Sequence, residues 1–203
     1  EERLGNFLKN QKREEFAVAT KVGRLVVDSE IGSEKFKGQD PNKDTIFDFS
    51  YDGAMRSFEE SLKRLQLDRV DILHLHDPDN HPDHLEHSKA GAIKAMIKLK
   101  EEKVVKAIGC GLNQNEMLLD LAKIGCFDCF LLAGRYTLLD QTSLEKLIPY
   151  CKSNNISLVL GGVFNSGILI EPSPKTFFDY AKLDENWFES AKKGLVRMPK
   201  DFE

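Results

Sequence analysis

Short apolar runs and longer amphipathic stretches take turns along this chain. "EEFAVATK" (14–21) is a brief run with β-branched residues and predicts a strand. "DGAMRSFEESLKRLQL" (52–67) sets Ala54, Met55, Phe58, Leu62 and Leu65 at helical spacing with charges between them, which predicts an amphipathic helix. "RVDILHLH" (69–76), "VVKAIGCG" (104–111), "FDCFLLAG" (127–134) and "ISLVLGGV" (156–163) predict further strands. Between them, "SKAGAIKAMIKLKEEK" (88–103) predicts a helix capped by Ser88, and "NEMLLDLAKI" (115–124) a helix ended by Gly125. "TSLEKLIPYCKSN" (142–154) completes the series, with Pro149 expected to kink that helix or divide it.

The strands are apolar throughout, as parallel strands covered on both faces are. Strand and helix alternate without a linker or a composition break, so residues 1–203 read as a single domain of α/β class. Two architectures fit that rhythm, a (β/α)8 barrel and a doubly wound sheet. A dinucleotide-binding sheet would place a glycine-rich turn after its first strand, whereas "KVGRLVVDSE" has a single glycine there. The barrel is the expectation.

All five histidines lie between Val70 and His87. Alternation puts Ile72, His74 and His76 on one strand face and Leu73 and Leu75 on the other. In a barrel the leucines meet the helices, so both imidazoles face inward. His76 sits at the carboxyl end of its strand, where barrel enzymes carry their chemistry. His74, one layer deeper, reads as a packed, hydrogen-bonded core residue. His81, His84 and His87 read as solvated loop residues. "HLHDPDNH" is superficially similar to the HxHxDH pattern of binuclear zinc hydrolases, but Pro78 and Asn80 separate the acids from the next histidine. Zinc needs three or four convergent ligands, so no metal is expected. Cys126 and Cys129 form a lone pair with no second pair and read as core thiols.

Composition removes several classes of function. The chain of 203 residues carries a formal net charge of -4, against the basic face that nucleic-acid binding needs. No apolar run approaches the ~20 residues of a membrane span, and "EERLGNFLKN" is not a signal peptide. Cysteines in apolar or helical settings suit free thiols in the cytoplasm.

Several motifs in order then carry a resemblance. "FAVATKVGR", "FDFSYDGAMRSFEESLKRLQLDRVDILHLHDPD", "KAIGCGLNQNEM", "FLLAGRYTLLDQ" and "LGGVFNSGIL" together resemble the aldo-keto reductases. Within them the likeness is to the aldose 1-dehydrogenase branch, with pyridoxal dehydrogenase a near relative, and it runs from Glu1 to about Leu169. The resemblance implies a (β/α)8 barrel that binds NAD or NADP across its carboxyl-terminal face and moves a hydride at the nicotinamide. Of the family's Asp, Tyr, Lys and His tetrad, the lysine that follows "AT" maps to Lys21 and the histidine that ends "VDILHLH" maps to His76. In that chemistry a tyrosine, acidified by the neighbouring ammonium, removes the hydroxyl proton while the histidine donates a hydrogen bond to the substrate oxygen.

For the cofactor, the resemblance implies Asn113 and Gln114 at the nicotinamide carboxamide and Tyr136 stacked on its ring. Phe164, Asn165, Ser166 and Gly167 would form the loop that wraps the pyrophosphate. The implied substrate is a small sugar or aldehyde, an L-fucose-, D-arabinose- or galactose-like aldose oxidised to its lactone, and the implied assembly a monomer or homodimer.

A full member of the family has two strands before "EERLG", which hold the tetrad's Asp and Tyr. Tyr51, Tyr136, Tyr150 and Tyr180 all belong to other motifs, so neither residue is assigned. The eighth-strand region that selects NAD or NADP is also missing from the match. "MPKDFE" resembles the start of the family's terminal helix, which favours ordered pieces of a longer enzyme over a free-standing open barrel. Two alternatives stay open. One is a non-catalytic, nicotinamide-nucleotide-binding relative or regulatory subunit; the other is a metal-dependent barrel hydrolase using the histidine cluster.

Overall fold

From Tyr51 onward, helices and short strands alternate as the hydrophobic pattern requires. The structure is a computed structural model that describes residues 1–29, 42–79, 81–170 and a few isolated positions besides. "MPKDFE" lies outside the described residues. In chain order the elements are α1 (Glu2–Leu8), β1 (Ala19–Val22), β2 (Arg24–Asp28), β3 (Lys43–Phe47), α2 (Tyr51–Leu65), β4 (Ile72–His76), α3 (His84–Ala90), α4 (Ala92–Glu101), β5 (Ala107–Leu112), α5 (Asn115–Ala122), β6 (Cys129–Ala133), α6 (Leu147–Ser153) and β7 (Ser157–Gly161). They form two compact units, Glu1–Gly111 with Cys126–Cys129, and Leu112–Gly125 with the residues from Phe130 onward.

In the first unit β1, β4 and β5 are parallel neighbours, with Lys21 level with His74 and His74 level with Gly109. One face of these strands presents Val22, Leu73, Leu75, Ile108 and Cys110, all fully buried. Helix α2 buries Ala54, Phe58 and Leu65, and α4 buries Ile93, Met96 and Leu99, the apolar stripes that their 3.6-residue period creates. Ser50 caps α2 by accepting from Gly53 N–H at 3.0 Å, and Gln66 closes it in a left-handed conformation.

Below β4, Asp71 accepts from Val18 N–H at 2.9 Å and pairs with Arg13 at 2.7 Å and Lys106 at 2.8 Å. Burial raises its pKa, and these partners more than offset that, bringing it down to about 2.

Three expectations from the pattern change. The strand expected over 14–21 is a 3-10 turn at Arg13–Glu15 followed by β1, while the hairpin of β2 and β3 carries no strong sequence signal. The helix expected over 88–103 is two helices broken at Gly91, and Ser88 is a buried residue inside α3 whose hydroxyl donates to His84 C=O at 2.6 Å. The break has a steric cause. A Cβ on Gly91 would lie 2.6 Å from Phe49 O, and the next N–H, of Ala92, donates to that same carbonyl at 2.8 Å. The helix expected over 142–154 is a 3-10 turn at Thr142–Leu144 and then α6, but the division falls before Leu147 and not at Pro149, which stands in the first turn of α6 where its missing N–H breaks no bond.

In the second unit α5 buries Leu118 and Leu121, and α6 buries Leu147 and Cys151. Phe130 and Leu132 of β6 are fully buried. Among the described residues no helix is long and apolar enough to cross a membrane.

Candidate active site

The parallel register of the first unit brings its chemistry together. Paired residues on neighbouring parallel strands share a face, so Lys21, His74 and Gly109 form one layer, and His76 stands one layer higher, level with Gly111. Lys21 is exposed and His76 is partly exposed, whereas His74 is buried.

Gly109 makes room for His74. A Cβ there would lie 2.6 Å from His74 Nδ1 and 2.5 Å from Cys129 O. Nδ1 of His74 is buried without a hydrogen-bond partner among the described residues, so that atom lacks the bond expected from sequence. Burial, then the positive charge of Lys21, lowers the pKa of His74. Stronger forces of the same kind act on His76. Burial foremost, then Lys21 and Arg24, push its pKa down to about 3. At physiological pH it is therefore a neutral imidazole, able to donate one hydrogen bond and accept another.

Two neighbours of His76 were not anticipated. Asp77 Oδ2 lies 3.4 Å from His76 Nε2 and 2.8 Å from Arg24 Nη2. The Arg24 guanidinium also sits over the Phe47 ring, 4.7 Å from its centroid. Asp77 adopts φ 44, a left-handed conformation at the end of β4. Arg24 opens a hairpin whose pairing the hydrophobic pattern does not give, so its approach to His76 could not be read. Adjacent Asp77 was legible as a residue, but its turn back toward the ring was not.

The remaining histidines also differ from expectation. His84 opens α3 instead of lying in a loop, and its ring packs 4.8 Å from Phe47 and 4.9 Å from Phe49. His87 is on the same helix, and His81 stays exposed, its ring 5.3 Å from that of His84. Phe47, Phe49, Tyr51, His84 and His87 line an open pocket of ≈ 520 Å³, to which neither Lys21 nor His76 contributes. Among the described residues no three His, Cys, Asp or Glu side chains are grouped to hold a metal ion. Cys110, Cys126 and Cys129 are unbridged, and burial raises the pKa of each thiol.

The residues expected at the cofactor all lie in the second unit. Asn113 is half-buried at the end of β5 and Gln114 is exposed just before α5. Tyr136 is exposed in a braced turn. There Thr137 Oγ1 accepts from the N–H groups of Leu139 and Asp140, and Asp140 Oδ1 accepts from Thr142 N–H. Along the loop after β7, Gly162, Asn165, Ser166 and Gly167 all have positive φ. The run coils the loop on itself: Asn165 N–H donates to Gly162 C=O at 2.9 Å and Gly167 N–H to Phe164 C=O at 3.0 Å. Asn165 is buried, its Nδ2 donates to Gly134 C=O at 3.3 Å, and its Oδ1 has no partner among the described residues. A Cβ on Gly167 would meet nothing within 4 Å. The exposed rings of Tyr136 and Phe164 and the open space at Gly167 leave room for a nucleotide's ring and phosphates.

The aldo/keto reductase family model matches residues 1–193. The chain belongs to this family. It is 38% identical over 198 residues to a D-threo-aldose 1-dehydrogenase of a Pseudomonas species, covering 92% of this chain and 59% of that protein. It is 36% identical over 197 residues to a pyridoxal 4-dehydrogenase of Microbacterium luteolum, covering 88% and 57%. The chain thus spans less than two thirds of the length of these relatives. The holo form of an aldo-keto reductase from Bacillus halodurans superposes with a TM-score of 0.70 at 23% identity, covering 98% of this chain and 59% of that one. The fold of this aldo/keto reductase chain is accordingly the α/β barrel type of its family.

Proposed function

We propose that the intact protein is an NAD(P)-dependent oxidoreductase that oxidises an aldose at C1 to its lactone. One observation supports the reading most directly. His76 ends a parallel strand as a neutral imidazole, with the charge of Lys21 on the adjoining strand. A neutral ring is what the role needs, because it donates a hydrogen bond to the sugar oxygen without adding a proton to the site. Lys21 supplies the positive charge that lowers the pKa of the family's tyrosine, so that the phenolate can take the hydroxyl proton.

A bound NAD(P)+ would supply the hydride acceptor. The residues of this chain that would hold it are Asn113 and Gln114 at the carboxamide, Tyr136 against the ring, and the loop of Phe164, Asn165, Ser166 and Gly167 at the phosphates. The aldose substrate follows the relative named for D-threo-aldoses; a pyridoxal-like aldehyde is the other candidate, from the second relative. The working picture is a cytoplasmic enzyme, monomeric or dimeric, with a single barrel domain.

Lys21→Met in the full-length protein tests this. Turnover should fall at least on the order of a hundredfold, the scale of lost acid–base assistance, while cofactor affinity measured by fluorescence changes far less. Undiminished turnover sinks the proposal. A panel of fucose, arabinose, galactose and pyridoxal with each cofactor then assigns the substrate.

A further inference from the structure

Asp77 should not face His76 at all. Successive residues of an extended strand point to opposite faces, so the residue after His76 would carry its carboxylate away from the imidazole. The left-handed turn at Asp77 reverses this and returns Oδ2 to 3.4 Å from His76 Nε2. Arg24 then fixes the carboxylate, with Nη2 at 2.8 Å from the same oxygen. Arg24 is itself held, because its guanidinium lies over Phe47. Three elements, β2, β3 and the end of β4, thereby converge on one side of one imidazole.

We propose that Asp77, clamped by Arg24, is a positioning residue that keeps the proton of neutral His76 on Nε2 and aims that N–H at the substrate oxygen. A neutral imidazole has two tautomers, and the one that places its hydrogen beside a carboxylate oxygen is favoured over the one that places a lone pair there. The bias matters because only a protonated nitrogen can donate to substrate. At 3.4 Å the carboxylate lies beyond the usual 2.7–3.2 Å of an N–H···O bond. It therefore orients the donor while leaving it available to an incoming oxygen. Arg24 contributes by fixing the carboxylate in place and keeping it charged. A role in orientation predicts a loss in kcat more than in KM, because ground-state binding of the rest of the substrate is untouched.

The inference rests on the oxidoreductase reading, and the experiment separates the two. Asp77→Asn is nearly isosteric, and asparagine tolerates the left-handed conformation as aspartate does. In the full-length protein, ¹⁵N chemical shifts of the His76 ring report the tautomer with no reference to activity. The wild type should show the Nε2–H form, and Asp77→Asn should shift it toward a mixture. In parallel kcat should drop on the order of tenfold or more with KM within about twofold, the scale of a misaimed catalytic group. Arg24→Lys, which keeps the charge but loses the planar fork, should move both readouts in the same direction by less, and it serves as the test if Asp77→Asn does not fold. An unchanged tautomer overturns the proposal. A shifted tautomer with undiminished kcat overturns it equally, since the pair would then be structural only. Failure of the oxidoreductase reading shows separately, as undiminished turnover in Lys21→Met.

Discussion

Lowering the pH should expose the neutral state of His76 as a stability cost that one substitution removes. An unfolded histidine titrates near pH 6.5, whereas His76 in place titrates at about 3. Between those values the unfolded chain binds more protons than the folded one, so stability falls as pH falls. Between pH 8 and pH 5, linkage over the 1.5 units below pH 6.5 amounts to about 2 kcal/mol. His76 is 25% exposed, and water screening reduces the expected figure to ~1–2 kcal/mol. The perturbation is His76→Gln, which keeps a donor of similar size but cannot be protonated. Urea unfolding of the full-length wild type and variant at both pH values gives a double difference in which His74 and the carboxylates away from this ring cancel. The wild type should lose ~1–2 kcal/mol more than the variant on going to pH 5. Equal losses in the two proteins would falsify the assignment of a depressed His76 pKa. With it would go the claim that the ring enters the reaction uncharged.

Other predictions concern packing and the base of the sheet. Gly109→Ala places a methyl against His74 Nδ1 and Cys129 O, and thermal unfolding should show a loss of about 1–3 kcal/mol, the usual scale of overpacking. Gly91→Ala meets the backbone of Phe49 in the same way, and should cost a similar ~1–3 kcal/mol in urea unfolding. An undiminished stability in Gly91→Ala would show that contact with Phe49 is not what separates α3 from α4. Asp71→Asn should cost about 1–2 kcal/mol near neutral pH, because the wild-type carboxylate titrates at about 2. That contribution is complete above pH ~4 and is lost as pH falls through ~2, so the gap between wild type and variant should close over that window in acid unfolding.

How much of this was legible in the sequence depended on whether a residue's neighbours were local. The alternation in "VDILHLH" sets the buried leucines on one face and the two histidines on the other, because a strand's two faces follow from its period alone. Lys21 and His76 were assigned from motif resemblance, and their closeness could not have come from periodicity, because it depends on the pairing of β1 with β4. The hairpin of β2 and β3 is not legible because its strands are only five residues long and pair with each other across a long connection, and the placing of Arg24 depends on that pairing. The break at Gly91 was hidden for a different reason. The helical pattern continues smoothly through it, and only a carbonyl from Phe49, distant in sequence, forbids the straight helix. His84 looks solvated among charges, and its aromatic partners, Phe47 at the end of β3 and Phe49 just after it, are distant in sequence.

Strand β4 is anchored at its base by Asp71, one residue before it begins, while the chemistry stands at its far end. Sliding that strand by a single residue would turn Leu75 into the cleft and bury the imidazole of His76 against the helices. Asp71 opposes such a slip with two cations and a backbone amide, on the segments that lead into β1 and β5 and on Arg13. The aim of the His76 ring is thus gauged from the opposite end of its strand. A variant weakened at that base should therefore lose accuracy in placing His76 before it loses its fold.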